Sequence, residues 1–275
     1  MFSLKSAKRL SRAVRVEWED GLSAQFTYVW LRDNGDRRPS LAHLDLNARP
    51  QNIDLNRKTL NVMWPPFLSS EYSSKFLRQH TTVKHVQAAS CSDTKRIMTK
   101  PWFIVDRNSA EDFTNMAVVE WGEHGIEHGT VWPHLSKVPS LVTVESYTED
   151  SKLNMVDGVT ALDIMSRTHP EQFRFLTSTP IEYQRDLFKS SHNIAEIHDG
   201  EVIRTTFNNV ERTAEITTEN LDAFYESLKI LNDICCTLMS TITLQPGQLL
   251  LVDNHRTYIG APAQCGRRLR FKMYD

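Results

Sequence analysis

The 275-residue sequence has no apolar run long enough to cross a bilayer as a helix, no internal repeat and no low-complexity tract. It has no excess of either charge: 32 Lys and Arg stand against 34 Asp and Glu, for a net charge of −2. That balance gives no electrostatic case for nucleic acid or for an anionic membrane as partner. It has no Cys-x-x-Cys spacing either. Cys91, Cys235, Cys236 and Cys265 fit a reducing compartment, and the adjacent pair falls in a helical pattern as packed thiols rather than as a bridge. What is present is 40% hydrophobic and 24% charged residues, an ordinary globular composition. The length suits one large domain or two modest ones.

Residues 1–15 carry Lys5, Lys8, Arg9, Arg12 and Arg15 with no acid before Glu17. Two readings stand: a mitochondrial transit peptide, or a basic lead-in to a first strand starting near Val14. Location is accordingly read as mitochondrial or cytoplasmic. Residues 14–18 alternate, Asp20-Gly21 marks a turn and 26–31 resume an apolar run, which predicts a hairpin. Residues 53–55 and 60–64 read as two more strands, 69–77 as a polar turn leading into a short helix, and 80–100 as a linker. Helical spacing is expected over 110–119, over 160–166, and through Leu176 from a capping box at Thr168-His169-Pro170-Glu171. His198–Glu201 predicts a hairpin turn before 202–207. Leu221, Phe224, Tyr225, Leu228, Leu231 and Cys235 trace an amphipathic helix with Thr218 as N-cap.

The stretch that organises the carboxy-terminal half is 247–260. Leu249-Leu250-Leu251-Val252, bounded by turns, suits a strand buried on both faces. Its end presents Asp253, Asn254, His255 and Arg256. Polar groups at the mouth of a buried strand are costly unless satisfied, so this is either an Asp/Asn turn closing the strand or part of a site. Two histidine patterns invite a metal. His124-Gly125-Ile126-Glu127-His128 has the H-x-x-E-H spacing of inverted zinc peptidases, but Gly122, Gly125 and Gly129 oppose the helix that chemistry needs, and a solvated glycine-rich loop is expected. His43-Leu44-Asp45 is an isolated H-x-D.

The string PGQLLLVDNHRTYIG at 246–260 resembles the PG-x-(apolar)-DN-x-R segment of the γ-butyrobetaine hydroxylase and trimethyllysine dioxygenase family, as do VWLRDN at 29–34, NMVDG at 154–158, HPEQFRFLTSTPIEY at 169–183 and FNN-x-x-R at 207–212. The resemblance implies an α+β, mainly β fold. A small amino-terminal β domain over 13–80 would join an incomplete double-stranded β-helix (jelly roll) over 101–275 with flanking helices. It implies hydroxylation of γ-butyrobetaine or trimethyllysine, with Fe(II) and 2-oxoglutarate as cofactors and a small-molecule substrate as partner. It also implies Arg267, or Arg268 by a shift of register, as the oxoglutarate-binding arginine, and Asn208 and Asn209 as substrate contacts. The departures are as informative. The family's second iron histidine falls at Ile259. No H-x-D occurs between Phe103 and Asn154, where the first two ligands are expected, and the 129–154 span is short. The family's zinc cysteines, which follow WLRDN, are missing from 35–41. The sequence therefore predicts no metal ligand, no catalytic residue and no zinc. It leaves two roles: an inactive relative of these oxygenases, or a binding protein that forms a homo-oligomer or pairs with an intact homologue.

Overall fold

The computed structural model describes residues 2–89, 98–106, 117–119, 126–146, 150–261 and 269–274. The chain forms two compact units, one of Met1–His85 with Ala214–Lys229, the other of Val86–Thr213 with Ile230–Asp275.

In the first unit, β1 (Leu4–Arg9), β2 (Ala13–Trp18) and β3 (Ser23–Thr27) make one antiparallel sheet. After α1 (Tyr28–Asp33), β4 (Asn52–Leu55), β5 (Thr59–Trp64) and β6 (Leu68–Ser73) make a second, followed by α2 (Ser74–Gln79). Period-2 alternation sets the faces: Val14, Val16 and Trp18 are buried while Arg15 points to solvent. Buried indoles need a partner for their N–H. Trp18 donates to Ser74 Oγ at 2.9 Å and Trp64 to Ser70 Oγ at 3.1 Å. The basic residues at 5, 8 and 9 belong to β1, which pairs along β2 and buries Leu4, so they decorate a strand of the folded unit.

Two local expectations give way here. The apolar run over 26–31 leaves the sheet at Thr27, whose Oγ1 accepts from Trp30 N at 3.3 Å and starts α1. The polar stretch from 69 is a strand rather than a turn, because Ser70 and Tyr72 alternate inward, and Ser73 Oγ then caps α2 by accepting from Phe76 N at 3.1 Å.

The second unit contains β7 (Trp102–Asp106), β8 (Ala117–Val119), β9 (Ile126–Gly129), β10 (Leu141–Ser146), β11 (Ser151–Asp157), α3 (Gly158–Thr168) and α4 (Pro170–Ser178). The hairpins β12 (Ile181–Arg185) with β13 (Phe188–His192) and β14 (Ala195–His198) with β15 (Glu201–Thr205) follow. Helix α5 (Leu221–Leu238), whose residues up to Lys229 belong to the first unit, then leads to β16 (Ser240–Leu244), β17 (Gln248–Asp253), β18 (Thr257–Ala261) and β19 (Leu269–Tyr274). Two antiparallel sheets result, ordered β7-β17-β10-β19-β8 and β16-β11-β18-β9. Strands β8 to β11 alternate between the sheets and so do β16 to β19, apart from the β11-to-β16 step. This is the winding of a jelly roll, or double-stranded β-helix. The chain is mainly β with few helices. Among the described residues no helix is long and apolar enough to cross a membrane.

The space between the sheets is hydrocarbon: Val142, Val144, Leu250, Val252 and Phe271 from one sheet meet Leu153, Met155, Leu244 and Ile259 from the other, with Trp132 among them. The helix expected over 110–119 is a strand at 117–119, where the β-branched pair Val118-Val119 joins β19; residues 110–116 lie outside the described residues. Thr168 is not a cap, since its Oγ1 donates back to Ile164 O at 2.9 Å and closes α3, leaving His169 at the start of α4. The α5 cap lies two residues beyond Thr218, at Asn220, whose Oδ1 accepts from Ala223 N at 3.1 Å.

Gly158 is required by close packing. A Cβ there would stand 2.7 Å from Tyr258 Cζ and 2.9 Å from Thr205 Cγ2, and Tyr258 is itself 0% exposed. Gly158→Ala is expected to destabilise the protein by about 1–3 kcal/mol, the usual penalty of overpacking. Urea unfolding checks it, and a variant as stable as the parent would show that the ring can shift.

Candidate functional site

The polar string after β17 is satisfied from within. Asn254 is 0% exposed. Its Nδ2 donates to Val131 O and Pro139 O, both at 2.9 Å, and its Oδ1 accepts from Val131 N at 2.9 Å. His255 Nε2 bonds Val138 O at 2.9 Å, and Asp253 Oδ1 accepts from His255 N at 3.2 Å. Arg256 places Nε and Nη2 on Asp157 Oδ2 at 3.0 and 2.6 Å, while Asp157 Oδ1 accepts from Thr160 N at 3.1 Å and caps α3. Burial alone would raise the Asp157 carboxyl, but the hydrogen bonds from Arg256 and Thr160 outweigh it and hold the group below its ordinary value. Of the two sequence readings of this string, the geometry supports the closing turn, extended into a network.

One residue beyond, β18 turns Tyr258 and Ile259 to opposite faces. Tyr258 pairs its hydroxyl with Thr205 Oγ1, and burial pushes its ionisation far up. Ile259, 2% exposed, joins the hydrocarbon between the sheets. Its register partners are Gly129 on β9 and Met155 on β11. Val131, two residues after Gly129, packs against the same cluster. The side chain of His128 lies on the Tyr258 side instead, their ring centroids 6.3 Å apart. Burial drops the His128 imidazole to about 4, so it is neutral at pH 7.

Comparison with known proteins places this geometry. Residues 129–266 match the model of the "Taurine catabolism dioxygenase TauD, TfdA family", half of the chain. A gamma-butyrobetaine dioxygenase from Homo sapiens is 30% identical, the alignment covering 94% of this chain and 89% of that protein. The chain belongs to the TauD/TfdA family. It is also similar to a trimethyllysine dioxygenase from Meyerozyma guilliermondii, at 22% identity over 93% of this chain and 88% of that protein. Among solved structures, an asparagine oxygenase in complex with Fe(II), 3-hydroxyasparagine and succinate shares 16% identity, with a TM-score of 0.46, 55% of this chain and 50% of that one being covered.

Within this TauD/TfdA chain the residues present do not fit iron. A two-histidine, one-carboxylate face needs three donor side chains converging on one point. The register places Gly129 of β9 on one side of Ile259 and Met155 of β11 on the other, and Val131 packs against the same cluster; none of these carries a nitrogen or oxygen donor side chain. Among the described residues no group of three or more His, Cys, Asp or Glu converges as a metal site.

Zinc fits no better in the first unit. A Cβ on Gly35, at the head of the stretch where the family has its cysteines, would stand 2.7 Å from Ser70 Oγ, the acceptor for the Trp64 indole. His80 is 7% exposed and tilted against Phe76 with ring centroids 4.5 Å apart, its Nδ1 on Phe76 O at 2.8 Å, and His43 Nδ1 bonds Ser40 Oγ at 2.7 Å.

The remaining sequence candidates divide. Asn208 Oδ1 accepts from Val210 N and Glu211 N, and its Nδ2 donates to Thr130 O at 3.1 Å. Asn209 is tied between Glu127 Oε2 at 2.6 Å and Arg212 Nη2 at 2.9 Å. Arg267, Arg268 and His124 lie outside the described residues. Residues 126–129 form a strand with His128 buried, where a solvated loop was expected, because they pair with β18; Gly122 and Gly125 lie outside the described residues.

Proposed function

We propose that this chain is a non-catalytic member of the TauD/TfdA family that uses the inherited fold for binding, as a homo-oligomer or beside an intact homologue, in mitochondria or cytoplasm. One observation carries the reading: Ile259, where the resemblance expects the second iron histidine, sits in a hydrocarbon cluster with Met155 and Val131 and pairs with Gly129. Aliphatic groups donate no lone pair, and no proton shift can turn them into ligands. The test is metal analysis of protein purified with Fe(II), together with succinate release from 2-oxoglutarate in the presence of γ-butyrobetaine or trimethyllysine. The expected result is iron well below one per chain and no succinate. Stoichiometric iron with turnover overturns the reading. Co-migration with an intact family member on a sizing column, against the protein alone, decides between the two binding arrangements.

The second reading is an active carnitine-type hydroxylase, favoured by the names of the relatives at 30% and 22% identity. It would require Arg267 to clamp the oxoacid, Asn208 and Asn209 to contact substrate, and ligands from elsewhere in the chain to hold iron.

A further inference from the structure

Two hairpins of the second unit close through two-residue loops, and one of them carries an apolar apex. In β14–β15, His198 pairs with Glu201 and the loop is Asp199-Gly200, both at positive φ, the small polar pair that such turns favour. In β12–β13, Arg185 pairs with Phe188 and the loop is Asp186-Leu187, with Asp186 at φ 52°. Leucine stands there where the other loop has glycine, and its side chain is 97% exposed. Turn chemistry gives no reason for it. Phe188, 62% exposed, tilts against His134 with ring centroids 6.3 Å apart, so one side of its ring is supported and the other is bare. Val210, 60% exposed, stands beside this end of the hairpin, because the carbonyl of the next residue, Glu211, accepts from Gln184 N at 3.0 Å. Three exposed apolar side chains at one tip make a patch rather than scattered surface hydrophobes, and such patches mark contact surfaces. Two opposite charges adjoin it. The Arg185 guanidinium makes no hydrogen bond among the described residues: Glu211 Oε1 lies 3.6 Å from its Nη1, beyond hydrogen-bond reach. The Asp186 carboxylate has no partner among them either.

We propose that this tip is the surface through which the chain pairs with a second copy of itself, Leu187 and Phe188 packing on the same residues of the other copy about a two-fold axis. Such an interface makes each contact between two positions twice. Arg185 of each copy then meets Asp186 of the other, and both unbonded charges are answered at once. An anionic bilayer would answer Arg185 but repel Asp186. The patch is smaller than a standard interface, so the pairing is weak and depends on concentration. This surface specifies the homo-oligomer arm of the proposed function and rests on that arm. Iron content is measured independently of it, so the failure of one reading is distinguishable from the failure of the other.

The experiment is sedimentation equilibrium of the full chain, which should pass from monomer to dimer over about 10–500 µM. Leu187→Ser, which leaves the turn intact, should weaken the association by about tenfold. Arg185→Asp and Asp186→Arg should each abolish it over that range, since like charges then face each other at two places. An equimolar mixture of these two variants should pair again, because each offers the charge that the other lacks. If Asp186→Arg does not fold, Arg185→Asp and Leu187→Ser decide alone. A chain that stays monomeric throughout the range, charge variants that associate as the parent does, or a mixture that pairs no better than its parts would each overturn the site. Association that survives all three substitutions would do so too, and would place the homo-oligomer contact elsewhere on the molecule.

Discussion

Ile259→His leaves the protein without iron and less stable by about 3–5 kcal/mol. The side chain is 2% exposed and surrounded by Val144, Leu153, Met155 and Val252 of the same cluster. Removing it forfeits its burial, on the scale of about 2–5 kcal/mol for large-to-small changes in a core. An imidazole in its place brings two ring nitrogens into a region that offers them no partner, about 1–3 kcal/mol for each unsatisfied group, partly offset because the ring refills the space. Ile259→Val provides the reference at about 0.5–1.5 kcal/mol. A histidine alone supplies one of three ligands, so metal cannot repay the loss. Adding Gly129→His and Val131→Asp does not rescue it either: a Cβ at 129 would lie 3.0 Å from Asn208 Cα and from Phe207 O, and backbone cannot move aside as a side-chain tip can. Chemical unfolding and metal analysis of both variants read this out. One iron per chain in Ile259→His would mean that two further donors already face this position.

The family strings were legible in the sequence because they are scaffold. Asp157 of the VDG string and Arg256 of the DN-x-R string hold each other. Asn254 pins Val131, and Asn208 closes the turn after β15. None of these contacts needs a metal. The buried strand at 249–252 and the hairpin turn at 198–201 were readable from alternation and turn chemistry. What was not readable depends on register. Gly129 becomes the neighbour of Ile259 only once β9 is laid beside β18, and strands of three or four residues such as β8 and β9 are too short to show a period. The apolar run VWL at 29–31 suits strand or helix equally, and the Thr27 cap decides it.

Arg256→Ala is expected to cost about 2–3 kcal/mol at pH 7, and the cost should shrink in acid. Each partner of the Asp157–Arg256 pair is 18% exposed, so the loss lies between the surface value and the 3–5 kcal/mol of a fully buried pair. Without the guanidinium, Asp157 keeps its hydrogen bond from Thr160 but must hold a half-buried charge unaided. The sign with pH follows from the depressed carboxyl. A group held below its unfolded value of 3.8 contributes stability above that value and loses it as pH falls through the lower folded value. The gap in unfolding free energy between parent and Arg256→Ala should therefore be constant from pH 5 to 8 and narrow below 3.8. Asp157→Asn should show the same narrowing, and the double variant should lose less than the sum of the two, since both act on one contact. A gap independent of pH would mean that Arg256 acts by packing alone. The pair matters beyond its own energy, because Gly158 N donates to Arg256 O at 2.8 Å where β11 meets the start of β18. That junction sets the register in which Ile259 faces Met155 and, across β18, Gly129; loosening it should speed backbone amide exchange in β18 ahead of β10 and β17.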